Sequence, residues 1–500
     1  MSDPTSSAPN ILLVVSDQER HRGWLPASVQ LPWRERLRAE GLELTRYYTH
    51  SSPCSPSRAS LFTGQYIAQH GVVDNVIMPE HKELDPAVPT IGSVLRDAGY
   101  RSSYIGKWHL SQSPTPDMTA YGFADWEGND RHFMGWAGTG VHFDPIIAAN
   151  AAAWLRDNAA TSAPWFLTVA LVNPHDVMWF PIDQPDYDRR HPEEVRRARK
   201  VLEWAKWKDD DVLPVFDKSY EEVCDTLPDN FGDDLIGKPA AQRQWRWDQQ
   251  HGLWGYIDPS DKKSWLRHLD YYVKLQRMAD ESLGTVLGAL EQSGAYDDTV
   301  VIFTSDHGDM CGSHGLRSKG PFVYEEIMHV PCYVKVPGVT RAGAQSDALA
   351  THVDLASTIC ALGGVDPATQ PTLQGVDLAP VLADPAASVR DHVLFAHDTA
   401  HTDEINHTRY AIRGFFDGRI KYARYYGVGG GKPGTGLWGK DPGRKLYDVD
   451  ADFADQEHEW YDLDEDPHEL VNLALDGGRR HDLHANFERL LQYERAEFGV

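Results

Sequence analysis

An α/β architecture, with a large and mostly parallel central sheet flanked by helices, is what three features of these 500 residues imply. Short apolar runs recur at strand length. Helical patterns separate them. Polar, reactive residues follow the end of each run. The runs are Asn10–Ser16 (NILLVVS), Trp165–Val172 (WFLTVALV) and Thr299–Thr304 (TVVIFT), and apolar continuity without alternation is the mark of a strand covered on both faces. The helical patterns run over Val88–Ala98, Pro145–Asn158 and Lys263–Gln292, and strands alternating with helices predict parallel pairing through crossovers. Behind the runs stand Ser16-Asp17-Gln18, Asn173-Pro174-His175-Asp176 and Ser305-Asp306-His307-Gly308; a shorter strand, Arg101–Ile105, precedes Gly106-Lys107-Trp108-His109. Open α/β sheets carry their chemistry at the carboxyl ends of strands, so these four segments are the candidate site.

From about Gly375 the texture changes. HVLFAHD, RYAIRGFFDGRIKYARYY and EWYDLDEDP alternate with turns, and a helix is predicted from Leu483 to Glu497. The expected division is a catalytic domain over residues 1–375 and a smaller α+β domain over 376–500, with an antiparallel sheet and a terminal helix.

Composition narrows the function classes. A net charge of −26 repels nucleic acid and other polyanions at long range, although a small anion can still enter a locally positive pocket. The apolar run Ile11–Val15 is far too short to cross a bilayer. MSDPTSSAPN has neither a basic start nor room for a signal core, so a cytoplasmic protein without membrane association is expected. Five scattered cysteines without a CxxC pair suggest neither a zinc cluster nor a disulfide framework. The oligomeric state is left open, a homo-oligomer included.

Asp17, Gln18, Asp306 and His307 would together offer three oxygens and an imidazole, a donor set suited to a divalent cation such as Ca²⁺ or Mg²⁺. From spacing alone, the reading of Asp17 and Asp306 as helix caps stands slightly ahead. The stretch SSPCSPSRASLFTG adds a cysteine at a helix start: Pro56 suits the first turn and Gly64 the end. Helix N-termini favour anions, and Arg58 stands one turn on, so a reactive Cys54 thiolate is physically reasonable.

CSPSRASLFTG, Cys54 to Gly64, resembles the signature of the type I sulfatases of the alkaline phosphatase superfamily. NILLVVSDQ, GKWHL, NPH, FTSDHGDMCGSHGL and EHEWYDLDEDPHELVNLA resemble further family segments in the same order. The resemblance implies an alkaline phosphatase-like fold. It also implies oxidation of Cys54 to formylglycine by a formylglycine-generating enzyme, and hydrolysis of a small organic sulfate ester. Carried over residue by residue, Asp17, Gln18, Asp306 and His307 bind one divalent cation. Ca²⁺ is the first expectation, with Mg²⁺ and Mn²⁺ as alternatives. Cys54 is the nucleophile as formylglycine, and Arg58 steadies it. Lys107 holds sulfate oxygens and His109 contacts the diol. His175 and Lys319 face the leaving-group oxygen. An aldehyde is useful here because its hydrate has two hydroxyls, one to attack sulfur and one to expel sulfate afterwards.

Asp-Gln and Asp-His stand where many sulfatases have Asp-Asp and Asp-Asn, which resembles choline sulfatases and phosphonate monoester hydrolases more closely. The latter tend to lack the Lys107-x-His109 pair, so sulfate is preferred over phosphonate. Cys224, Cys311, Cys332 and Cys360 read as buried hydrophobes, and Ser55 and Ser57 as helix-start residues. His314 is either a partner to the site or loop filling. Asp448, Asp450, Asp452 and Glu459 fit a calcium loop only weakly, since Phe453 stands where that loop needs glycine. The tryptophans at 204–265 read as packing before pocket lining. Residues 176–260 hold aromatics and carboxylates enough for a choline-like head or a sugar, without a choice between them.

Overall fold

The structure is a computed structural model and describes residues 8–77, 81–111, 118–126, 135–204, 220–252, 254–399, 408–430 and 452–499. Its main sheet has seven strands in the order β3-β4-β1-β5-β6-β2-β7. These are β1 Asn10–Asp17, β2 Leu42–Tyr48, β3 Arg101–Gly106, β4 Trp165–Pro174, β5 Thr299–Ser305, β6 Cys332–Lys335 and β7 Ala344–Thr351. Pairings β3/β4, β4/β1, β1/β5 and β2/β7 are parallel, and only β6 runs against its neighbours. The expected α/β class, with a mostly parallel sheet, is what is found.

β1 lies at the centre because both its faces are apolar. Ile11, Leu13 and Val15 pack on one side with Leu61 and Phe62 of the helix Cys54–Thr63 and with Leu355 and Ile359. Leu12 and Val14 pack on the other with the helices Thr139–Asn158 and Lys262–Gln292. This is the two-residue period of a strand between two layers.

Two helices beside the main sheet start three or more residues away from the sequence expectation. The one predicted from Pro145 begins at Thr139, because the Asp176 carboxylate accepts from the Val141 amide at 2.9 Å and so caps it from another segment. The one predicted from Val88 begins at Ile91, after a capping box between Thr90 and Ser93.

The second sheet is antiparallel, in the order β11-β10-β9-β8, with β8 Val393–Thr399, β9 Thr408–Phe416, β10 Ile420–Gly430 and β11 Glu457–Asp462. Helix Arg480–Glu497 follows it, three residues longer at its start than predicted. Val393, Phe395, Tyr410 and Ile412 share an apolar cluster with Tyr48 and Leu349 of the main sheet. Asp448 and Asp450 of the calcium-loop reading lie outside the described residues, and Glu459 faces inward, accepting from Gln242, Tyr425 and Tyr461. No helix among the described residues is long and apolar enough to cross a membrane.

Gly106, at the end of β3, has φ +106°, and a Cβ built on it would stand 2.0 Å from the Ala170 carbonyl oxygen of β4. Gly106→Ala is therefore expected to cost at least about 2 kcal/mol, since both backbone strain and overlap oppose it. A matched urea denaturation series measures this. Stability should also depend on acid. Burial pushes His70 and His268 down to about 3, so both stay neutral in the fold while the unfolded chain protonates near 6.5. The unfolded state then binds more protons, and stability falls as pH drops below about 6.5, by about 2 kcal/mol per such histidine at pH 5. Replacing His268 by Leu should flatten the denaturation midpoint between pH 5 and 7.

Candidate active site

The register of the main sheet brings the four polar segments to one edge. Ser16 pairs with Ser305, so Asp17 and Asp306 emerge side by side. Asp17 pairs with Pro174, which sets His175 next to it, and Gly106 pairs with Ala170, which delivers Lys107. The helix Cys54–Thr63 starts at this edge with Cys54 on its first turn.

Arg58 links these parts. Its Nη2 donates to Asp17 Oδ2 at 2.9 Å, its Nε to Asp306 Oδ2 at 2.9 Å, and its Nη1 to the Lys107 carbonyl at 2.9 Å. All three side chains, Arg58, Asp17 and Asp306, are fully buried. Lys107 Nζ stands 2.6 Å from Asp17 Oδ2 and 3.9 Å from Cys54 Sγ. Burial alone would raise the Asp17 carboxyl, but Lys107 and Arg58 hold it well below the usual carboxylate range. Burial and Asp17 also push the Cys54 thiol up. Lys107, Lys319 and His307 outweigh them, so it lies below its ordinary value.

One donor atom each from Asp17, Cys54, Asp306 and His307 lies within 4.8 Å of the others, all buried. His307 donates from Nδ1 to the Gly308 carbonyl at 2.9 Å, which turns Nε2 toward Cys54 Sγ, 3.2 Å away. Gln18 has φ +68°, a left-handed conformation that aims its side chain across the site. Its amide NH₂ donates to Asp309 Oδ2 at 2.5 Å, and its Oε1 accepts from Lys319 Nζ at 2.5 Å. This donor set of carboxylates, an amide oxygen and an imidazole fits a hard divalent cation.

Lys319 also donates to His175 Nε2 at 3.0 Å. An ammonium only donates, so the neutral imidazole accepts at Nε2 and carries its proton on Nδ1. Burial, then Lys319 and Lys107, keep His175 neutral far below its ordinary titration; burial, Lys107 and Arg58 do the same to His109. His109, His175 and Lys319 line a cleft of about 60 Å³ together with Trp136, Trp179 and Trp254. Asp17, Gln18, Cys54, Arg58, Lys107, Asp306, His307 and Lys319 thus share one network of contacts, and His109, His175 and Lys319 line the cleft.

Other readings resolve as follows. Ser55 donates to the His109 carbonyl and Ser57 to that of Asp306, so both serve the helix start. His314 pairs with Asp233 at 2.6 Å and stacks on Tyr324, away from the site. Cys311, Cys332 and Cys360 are buried, whereas Cys224 is half-buried. Trp265, Trp245 and Trp254 all pack in apolar clusters, as the packing reading has it, and Trp245 and Trp254 line the cleft as well; Trp207 lies outside the described residues. Sequence reasoning misses Asp309; its place two residues after His307, in a segment already singled out, is the available signal. It misses Trp136, Trp179 and Gln249 as well, and nothing local marks them.

The sulfatase family model matches residues 9–365, and the model of N-sulphoglucosamine sulphohydrolase, C-terminal, matches residues 312–429. The chain belongs to the sulfatase family. Its relative "Uncharacterized sulfatase YidJ" of Escherichia coli (strain K12) is 28% identical over 66% of this chain and 62% of its own length. The N-acetylglucosamine-6-O-sulfatase of Bacteroides thetaiotaomicron is 25% identical over 75% of this chain and 71% of its own length. The chain thus spans about two thirds of the length of these relatives. The phosphonate monoester hydrolase of Agrobacterium radiobacter shares the fold, with TM-score 0.66, 20% identity, and coverage of 98% of this chain and 96% of that one.

Arg58→Met should destabilise the protein by about 3–5 kcal/mol, because it leaves two buried carboxylates facing each other. Chemical denaturation in chelator is the measurement. Repeating it with excess Ca²⁺ should recover part of the loss, since a divalent cation held by Asp17 and Asp306 would neutralise them in place of Arg58.

Proposed function

We propose that this chain hydrolyses an organic sulfate ester to an alcohol and inorganic sulfate, with formylglycine made from Cys54 and one divalent cation. The observation that carries the reading is the convergence of Cys54 with Asp17, Asp306 and His307 in one buried cluster. Family membership supports it. Maturation by a formylglycine-generating enzyme is part of the proposal.

When bound, the cation would supply charge to the sulfate oxygens and acidity to the nucleophilic hydroxyl. Asp17, Gln18, Asp306 and His307 are the residues that would hold it. The hydrated aldehyde supplies one hydroxyl to attack sulfur and a second whose deprotonation expels sulfate; one water enters per turnover, giving one proton to the alcohol, its oxygen to sulfate and its second proton to solvent.

The remaining roles follow from position. Lys107 and the helix start face the sulfate as it gains charge. His109, held neutral by its cationic neighbours, can take the proton from the second hydroxyl. Lys319 stands 3.0 Å from a neutral His175, so this pair can donate to the departing alkoxide. Arg58 is fully engaged with Asp17, Asp306 and the Lys107 carbonyl, and so positions the nucleophile's surroundings.

A phosphonate monoester or phosphodiester hydrolase is the second reading, favoured by the shared fold of the Agrobacterium radiobacter enzyme. The Lys107-x-His109 pair, which phosphonate monoester hydrolases tend to lack, favours sulfate. Rates on an aryl sulfate and an aryl phosphonate monoester separate the two, and a clear preference for phosphonate would reverse the order.

Peptide mass spectrometry of active protein should show the CH₂–SH of Cys54 replaced by CHO, with activity proportional to the modified fraction. Cys54→Ala should abolish turnover, and Cys54→Ser should allow at most one sulfation per molecule. Full multiple turnover by wholly unmodified thiol protein would refute the mechanism.

A further inference from the structure

Asp309 is fully buried, and both its oxygens accept hydrogen bonds. Oδ2 accepts from the Gln18 side-chain NH₂ at 2.5 Å, and Oδ1 from the Cys311 backbone N–H at 2.6 Å. Gln18, equally buried, is held through its backbone as well. Its N–H donates to Asp306 Oδ1 at 3.0 Å, and its carbonyl accepts from the Tyr272 hydroxyl at 2.6 Å. With the main chain fixed on both sides, only the end of the side chain at position 18 is left to choose.

Two neighbours make that choice. Lys319 Nζ stands 2.5 Å from Gln18 Oε1 and only donates, so the atom facing it must accept. Asp309 accepts at both oxygens and offers no donor, so the atom facing it must donate. An amide with its oxygen toward Lys319 and its nitrogen toward Asp309 satisfies both. A flipped amide satisfies neither. A carboxylate satisfies Lys319 but meets Asp309 as a like charge in a buried place.

We propose that Asp309 is a positioning residue that dictates a neutral amide at position 18, so that the two residues form one exchangeable unit. The inference rests on the reading of Gln18 as a cation ligand and concerns what sets that ligand's chemistry. Asp309 acts through Gln18, and a partner behind a metal ligand is ordinarily worth about 10–100-fold in metal affinity. A reciprocal rule follows. Asp309→Asn alone offers one oxygen and one NH₂ to two N–H donors, so either Gln18 or Cys311 loses its acceptor. Gln18→Glu alone sets two buried carboxylates against each other. The two substitutions together satisfy every group. The amide then at 309 accepts from the Cys311 N–H and donates to the carboxylate then at 18, whose other oxygen faces Lys319. The pair keeps the same net charge.

The test uses full-length protein with the same formylglycine content at position 54 in every sample. Calorimetric titration with Ca²⁺ reads the ligand, and urea denaturation in chelator reads the fold without the ion. Each single substitution should weaken Ca²⁺ binding about tenfold. The double variant should return to within about threefold of wild type, or bind more tightly, because residues in contact are not additive. In chelator both single variants should lower the urea midpoint, and the double variant should recover most of the loss. A double variant as weak as the product of the singles, about a hundredfold, overturns the proposal. So does wild-type Ca²⁺ affinity in Asp309→Asn protein, even with a lowered midpoint, since that is the mark of a merely structural residue. Where Asp309→Asn protein does not fold, recovery of folded protein on adding Gln18→Glu supports the pairing, and failure to recover it overturns it. Absence of Ca²⁺ binding by wild-type protein would instead refute the proposed cation, and the denaturation series alone would then judge the pairing.

Discussion

The Arg58 guanidinium is the interaction on which the site depends. Buried without exposure, it joins the carboxylates of Asp17 and Asp306 at the ends of two adjacent parallel strands, and it reaches the Lys107 carbonyl behind a third. Burial works against its charge, yet Asp306 and Asp17 hold it above its ordinary range. A buried ion pair adds little net stability, because desolvation offsets most of the attraction. What it adds is geometry: a planar fork binds three acceptors in fixed directions, which a lysine could not do. Since Arg58 lies one turn beyond Cys54 on the same helix, the fork also fixes where the helix start stands against the strand ends.

Charge at the site is closely balanced. Arg58, Lys107 and Lys319 face Asp17, Asp306 and Asp309. Three cations against three carboxylates give a pocket with little net pull on an anion, within a chain of net charge −26. On the proposed reading, a divalent cation between Asp17, Asp306 and His307 changes that balance locally, where short distances and exclusion of water make it count. Asp309 then has a definite place. It fixes the Gln18 NH₂ and so turns the amide oxygen inward, toward Lys319 and the carboxylates. The left-handed backbone of Gln18 is tolerated because Asp309 and Lys319 lock its side chain.

The main sheet was legible because its central strands are apolar on both faces, and the site because reactive residues follow those strands. Register then did the rest: parallel strands in near alignment must release their next residues at one edge. The helix at Cys54 was legible too, from Pro56 and Gly64. What escaped depends on contacts far apart in sequence. The helix at Thr139 starts early because Asp176 caps it. His314, ambiguous in sequence, is settled by Asp233 and Tyr324. Trp245 and Trp265 have similar neighbours in the chain, but one meets Gly320 at the cleft and the other the core. No local pattern distinguishes such fates.

The two parts of the pocket divide the work of recognition. Its charged floor is built from strand ends and one helix start, all belonging to the main sheet, and would handle any sulfate group alike. Its aromatic walls come from the segments around Trp136, Trp179, Trp245 and Tyr410, and so include the second sheet through β9. Contacts to a part of the substrate remote from sulfur cannot lower the barrier directly, but they can hold the ester bond against Lys319 and His175 in the orientation the reaction needs. Substrate choice in this fold can therefore change by replacing wall residues while the floor stays as it is, because no wall tryptophan contributes to the Arg58 fork.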